Sequence, residues 1–172
     1  MFYVTFDGHL GCGKSTVMKE VEKQLAEQHF KVKSIDEHCM LNHSIIQHNF
    51  YPEMLYEKRV SKYNELMGLY DICLVENSFI SNIVYQLGTA SQELVDQYIN
   101  MELEHYTNNW DTLQSYIIYR DYTQKECDMF LTLSHYLLEN YKIDTNSIAN
   151  ANDNKLQENV EKIIQRIIWE IE

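Results

Sequence analysis

Three of the five glycines, Gly8, Gly11 and Gly13, fall within six consecutive residues. A glycine-poor chain concentrates glycine where the backbone needs unusual angles or a close approach that a Cβ would forbid. The stretch reads Gly8-His9-Leu10-Gly11-Cys12-Gly13-Lys14-Ser15 and matches G-x-x-x-x-G-K-[ST] at every position. Before it lies a short apolar, β-prone run from Phe2 to Phe6. After it, Val17, Val21 and Leu25 repeat at helical spacing. In that strand–loop–helix setting, successive amides turn inward as an anion-binding nest, and the helix adds its positive N-terminal end. Lys14 is then placed to reach the β- and γ-phosphates of a nucleoside triphosphate, and the Ser15 hydroxyl to ligate Mg2+. The expected nucleotide-binding set is Gly8, Leu10, Gly11, Cys12, Gly13, Lys14, Ser15 and Thr16. A plain glycine-rich turn is the alternative.

At 172 residues the chain fits one domain, 1–172, with a single substantial core. No apolar run is long enough to cross a membrane. The first residues lack the basic start and cleavage site of a signal peptide, so a cytoplasmic protein is expected. Cys12, Cys39, Cys73 and Cys127 are widely spaced, with no C-x-x-C pair, and are expected as free thiols. Cys73 and Cys127 suit small core positions. The net charge of −12 argues against a general nucleic-acid binder. A small polyanion remains compatible, because one loop and a few cations hold it against the overall field.

Downstream, strand and helix patterns alternate. Strands are expected at Lys31 to Ile35, Ile72 to Val75 and Ser115 to Tyr119. Helices are expected from Ser15 to His29, Glu53 to about Leu69, Ser81 to Gln86, Ser91 to about Tyr106, Thr123 to Asn140 and Lys155 to Glu172. Pro52, the only proline, suits a turn or a first helical turn. Lys142-Ile143 suits a short last strand, and the Asn-rich stretch from Asn146 to Asn154 a turn. The alternation implies an α/β fold, a parallel sheet covered on both faces, with ligands at the carboxyl ends of the strands.

Three candidate segments follow strands: the loop, Asp36-Glu37, and Glu76-Asn77-Ser78. A loop of this kind works with a carboxylate beside the metal, usually at a neighbouring strand end. Glu76 is the natural candidate, with a solvated strand-end acid as the alternative. Asp36 or Glu37 is placed to accept a proton from a substrate hydroxyl or to hold a sugar. Asp7 is placed to support the magnesium shell through water. His38, Cys39, His43 and His48 follow neither a helical face nor a zinc-site spacing, so solvated loop residues are expected. Most of the thirteen tyrosines, Tyr136 and Tyr141 among them, suit core and edge packing. Tyr56 and Tyr85 are candidates to stack on a base.

The run from Phe6 to Thr16 resembles the opening of thymidylate kinases and the related deoxynucleoside kinases. Glu76 to Gln86 is similar to the thymidylate-kinase pattern D-R-Y-x-x-S-x-x-A-Y-Q, with Ser81, Tyr85 and Gln86 matching as they stand. The deoxynucleoside kinases carry E-R-S at its start, which fits Glu76 and Ser78. Asp36-Glu37-His38 sits where those families carry R-E-P or an E-P pair, and Arg59 falls near the arginine that contacts the base in thymidylate kinases. The resemblance implies a three-layer fold with a five-stranded parallel sheet, ATP and Mg2+ as co-substrates, and phosphorylation of a deoxynucleoside or its monophosphate. By the same resemblance Glu37 contacts the acceptor or its sugar, while Tyr85, Gln86 and Arg59 lie near the base. The Asn-rich turn cradles adenine, and related kinases often form homodimers through helices.

Two departures stand out. Asn77 occupies the family's arginine position, removing a cation that would hold an acceptor phosphate. The lid, at about 120–126, is short and offers only Arg120 and Lys125. Charge developing on a transferred phosphoryl group needs cations. The expected catalytic set is therefore Lys14, Glu37, Glu76 and Arg120. Ser15 and Glu76 are expected at the metal, and Glu37, Tyr56, Arg59, Ser81, Tyr85 and Gln86 at the substrate. The loss of the arginine favours a nucleoside-like hydroxyl over a nucleotide acceptor. Two other readings are a kinase for another hydroxyl, on a modified base, sugar or metabolite, and a nucleotide-binding protein with little turnover.

Overall fold

The computed structural model describes residues 1–9, 11–36, 52–86, 90–109, 113–119, 124–143, 145–149 and 153–171, without the side chains of 36, 52, 85, 86, 106–109, 124–127, 153 and 154. In chain order the elements are β1 (Phe2–Asp7), α1 (Lys14–Glu27), β2 (Val32–Asp36), α2 (Pro52–Leu66), β3 (Ile72–Glu76) and α3 (Phe79–Gln86). There follow α4 (Gln92–Asn109), β4 (Leu113–Tyr119), α5 (Gln124–Tyr141), β5 (Thr145–Ala149) and α6 (Asp153–Ile171). The five strands form one parallel sheet in the order β2-β3-β1-β4-β5.

Side chains alternate across a strand, so period two sorts the core into two layers. Phe2, Val4 and Phe6 of β1, Ile72 and Leu74 of β3, and Tyr116 and Ile118 of β4 face α1 and α6. Tyr3, Cys73, Val75 and Ile117, the intervening residues, face α2 to α5. On α1 the expected stripe of Val17, Val21 and Leu25 is buried, and on α6 Val160, Ile163, Ile164 and Ile167 repeat at i, i+3, i+4 and i+7. Pro52 opens α2, where its missing N–H has no helical partner to lose. Cys73 is buried in the core, as expected. Among the described residues no helix is long and apolar enough to span a membrane.

The last strand corrects the sequence-based expectation. Lys142-Ile143 is a helix end: Lys142 takes φ 61, and the amides of Lys142 and Ile143 bond back to Leu138 and Leu137 at 3.2 Å each. The strand instead overlaps the first part of the stretch expected as a turn, with Thr145 to Ala149 paired in register with Ser115 to Tyr119. Its polar side chains serve the sheet edge. Asn146 Nδ2 donates to the Ser115 carbonyl at 3.5 Å, and Arg166 donates to Asn146 Oδ1. Tertiary pairing outweighs the turn preference of asparagine here.

Candidate active site

The loop joins the end of β1 to the start of α1, in the middle of the sheet. Gly8 has φ 141, and a Cβ there would lie 2.1 Å from the Ile118 carbonyl oxygen on β4, so only glycine fits. Gly13 caps α1 in the left-handed region, φ 93 and ψ 17, and as glycine makes no side-chain cap bond. The first amides of the helix and the positive end of its dipole are turned to the loop. Lys14 Nζ donates to the carbonyls of Gly8 at 3.0 Å and His9 at 3.1 Å, holding the ammonium inside the loop. Cys12 is buried, and burial pushes its thiol pKa up against the opposing charge of Lys14, so it serves as a small neutral filler. Thr16 is exposed on the first turn of α1. Leu10 lies outside the described residues.

Ser15 Oγ donates to Glu76 Oε1 at 2.6 Å, although the two residues are 61 positions apart. The contact follows from register: Glu76 ends β3 opposite Phe6 of β1, immediately before the loop. A hydroxyl and a carboxylate side by side are the hard oxygen donors Mg2+ takes, and Mg2+ keeps water and substrate oxygens for its remaining positions. A protein cage is accordingly not required, and among the described residues no group of three His, Cys, Asp or Glu side chains forms one. Asp36 ends β2 in register with Glu76, so the strand ends carrying Asp7, Asp36 and Glu76 share one edge of the sheet.

Asp7 is fully enclosed, which corrects its expected place beside the metal's water shell. Its Oδ1 accepts from the amides of Ser78 and Ser81 at 2.9 and 3.1 Å and from Ser81 Oγ at 2.6 Å, while its Oδ2 accepts from Ser78 Oγ at 2.7 Å. A carboxylate at the N-terminus of α3 satisfies free amides and meets the positive end of the helix. Ser81, expected at the substrate, bonds Asp7 through its hydroxyl in this structure and is completely buried. Asn77 turns the chain between β3 and α3 with φ 60, its amide donating to the Phe6 carbonyl at 3.1 Å. Asparagine tolerates that left-handed conformation better than most L-residues, a local reason for its presence.

Arg59, expected near the base, joins a buried polar group. It is 4% exposed, with Nε donating to Glu102 Oε1 at 2.9 Å and Nη2 to the Tyr98 hydroxyl at 2.9 Å. Asn82 Nδ2 donates to the same hydroxyl at 3.3 Å. The guanidinium therefore ties α2 to α4. Tyr56 lies edge-on to His105, ring centres 5.9 Å apart, and Tyr63 does the same at 5.2 Å. Burial pushes the Glu102 carboxyl up against the pull of Arg59, and burial together with the Arg59 charge pushes the His105 imidazole down. Glu102 escaped the sequence reading, yet Val95, Tyr98, Ile99 and Glu102 sit at i, i+3, i+4 and i+7. A carboxylate on an apolar stripe is the signal that marks it.

Glu37, Arg120 and the His38, Cys39, His43 and His48 group lie outside the described residues. Tyr85 and Gln86 belong to α3 by backbone, with side chains outside the described ones, as are those of Lys125 and Cys127.

The sheet order, the loop at the end of the central strand and the helices on both faces define a three-layer P-loop α/β fold, the fold also seen in two thymidylate kinases. The thymidylate kinase of Ehrlichia chaffeensis superposes with a TM-score of 0.66 at 15% identity, over 96% of this chain and 97% of that one. The thymidylate kinase of Candida albicans does so with a TM-score of 0.62 at 11% identity, over 99% of this chain and 93% of that one. No protein-family model and no curated protein matches at the level of sequence.

Proposed function

We propose that this chain transfers the γ-phosphoryl group of ATP to a deoxynucleoside or a deoxynucleoside monophosphate. The observation that carries the reading is the 2.6 Å bond between Ser15 and Glu76, which brings a metal-binding hydroxyl and carboxylate together at the mouth of a phosphate loop. The fold it shares with thymidylate kinases supports the acceptor class. Mg2+ held by Ser15 and Glu76 would offset the negative charge of the triphosphate. The loop amides and Lys14 orient the phosphates, with the ammonium exchanging the Gly8 and His9 carbonyls for phosphate oxygens. Glu76 or Glu37 takes the proton of the acceptor hydroxyl, and Arg120 is proposed to supply charge from the lid.

Within this reading a nucleoside is favoured over a monophosphate. Arg59 is withdrawn into its pair with Glu102, and a neutral Asn77 stands beside Glu76. Nucleosides and their monophosphates incubated with ATP and Mg2+ should give phosphorylated product with at least one of them. Tight ATP binding with no product from any would sink the kinase reading and leave a nucleotide-binding protein. Glu76→Gln should lower turnover by roughly a hundredfold or more, as for loss of a group that acts in the transition state.

A further inference from the structure

On the face of the sheet that carries α2 to α5, Thr5 of β1, Ser115 of β4 and Thr145 of β5 stand in one row, paired in register. Directly paired residues of a parallel sheet point the same way, and Tyr3 and Ile117, two positions from Thr5 and Ser115, belong to the core of that face. The outermost hydroxyl is satisfied, because Thr145 shares a hydrogen bond with Ser134 of α5. The inner two differ. Thr5 and Ser115 are fully buried, and neither hydroxyl has a hydrogen-bond partner among the described residues. To the core of this face α3 brings Phe79, Ile80 and Ile83, and α5 brings Phe130 and Leu133, side chains that offer no donor or acceptor. A buried hydroxyl without a partner loses its hydration and gains nothing in return.

We infer that Thr5 and Ser115 bind one internal water molecule, which bridges β1 to β4 two residues before Asp7. Geometry selects a water over a direct bond. Neighbouring strands lie about 4.8 Å apart, whereas two hydroxyl oxygens bond at about 2.8 Å. Two bonds of that length meeting at a tetrahedral oxygen span about 4.5 Å, close to the strand spacing. The water donates to one hydroxyl and accepts from the other, within the two to four bonds that buried waters make. Room comes from Ser115, a small side chain between Leu113 and Ile117 on the same face of β4. The site is separate from the phosphate loop and does not depend on which acceptor the chain uses.

Oxygen-17 relaxation dispersion tests this, because it counts long-lived water by its oxygen and is blind to exchanging hydroxyl protons. The double variant Thr5→Val with Ser115→Ala should hold one long-lived water fewer than the wild type. Stability supplies a second readout whose sign decides. With the water in place, Thr5→Val strips it of a partner and should raise the unfolding constant in urea roughly fivefold. In a dry site the same change removes an unpaired hydroxyl and should leave the unfolding constant unchanged or lower it. Equal water counts would overturn the inference, including the case in which the two hydroxyls bond each other directly. A Thr5→Val variant at least as stable as the wild type would overturn it as well.

Discussion

The two faces of the sheet are held in different ways. Toward α1 and α6 the buried set is mainly aliphatic and aromatic: Val17, Val21 and Leu25 meet Val160, Ile163 and Ile167 over Val4, Phe6 and Ile118, with the amides Gln114 and Asn159 as its polar members and no ion pair within it among the described residues. Toward α2, α3 and α4 the apolar core also contains Asp7, Ser78, Ser81, Asn82, Arg59, Glu102 and His105, all nine-tenths or more buried. Apolar burial is non-directional and tolerates small shifts. Buried charges and amides are stable only with partners at hydrogen-bond distance, so they hold the helices in one arrangement at a desolvation cost. Strand β1 serves both faces: Phe6 stacks on Tyr116 on one side, at 5.9 Å between ring centres, and Asp7 caps α3 on the other. The candidate site lies at that seam. On one side it rests on a mainly apolar layer, and on the other on a polar network that one substitution can unbalance.

Glu102→Leu should have the largest effect. It leaves the Arg59 guanidinium buried without its carboxylate, and about 3–5 kcal/mol of unfolding free energy should be lost in a urea titration. The double substitution Arg59→Leu with Glu102→Leu should recover most of that loss. A double variant as unstable as the single one would mean that the polar face is held by shape alone, and the contrast would collapse.

On the opposite face, Ile163→Ala should cost about 3 kcal/mol by lost burial and a residual cavity. The same titration should show no partner residue able to rescue it, in keeping with an additive apolar layer. Asp7→Asn is expected to cost about 2 kcal/mol, because one carbonyl oxygen replaces two oxygens that accept four hydrogen bonds. Thermal unfolding measures it. An undisturbed stability would show that the serines at the start of α3 do not need the charge.

The smallest effect concerns pH. Burial and the charge of Arg59 hold His105 below its ordinary pKa, so on acidification the unfolded chain takes up the proton first. The stability contributed by neutral His105 is therefore present above the unfolded value, about 6.5, and is lost as pH falls through the depressed folded value. Glu102, whose pKa burial raises, acts in the opposite sense, since its contribution is lost as pH rises. The useful quantity is accordingly the stability difference between the wild type and His105→Phe, measured from pH 7 down to about 5.5. That difference should move against the wild type on acidification. A constant difference would show that His105 is not protected on this face.

The loop and the order of strands and helices could be read from residues alone because their causes are local. Gly13 opens a helix through its own backbone, and Val17, Val21 and Leu25 mark a helix face within three turns. The short, near-continuously apolar runs of β1 and β3 mark strands buried on both faces without knowledge of what covers the sheet. Other features became visible only when distant segments met: Ser15 with Glu76 across 61 positions, Arg59 with Glu102 across 43, and Asp7 with Ser81 across 74. The strand within the Asn-rich stretch belongs with them, because its pairing with β4 outweighs the turn preference of its residues. The physical reason is the same in each case. Local energies set φ and ψ over a few residues, whereas strand register and the rotation of one helix against another decide which polar side chains come within hydrogen-bond reach.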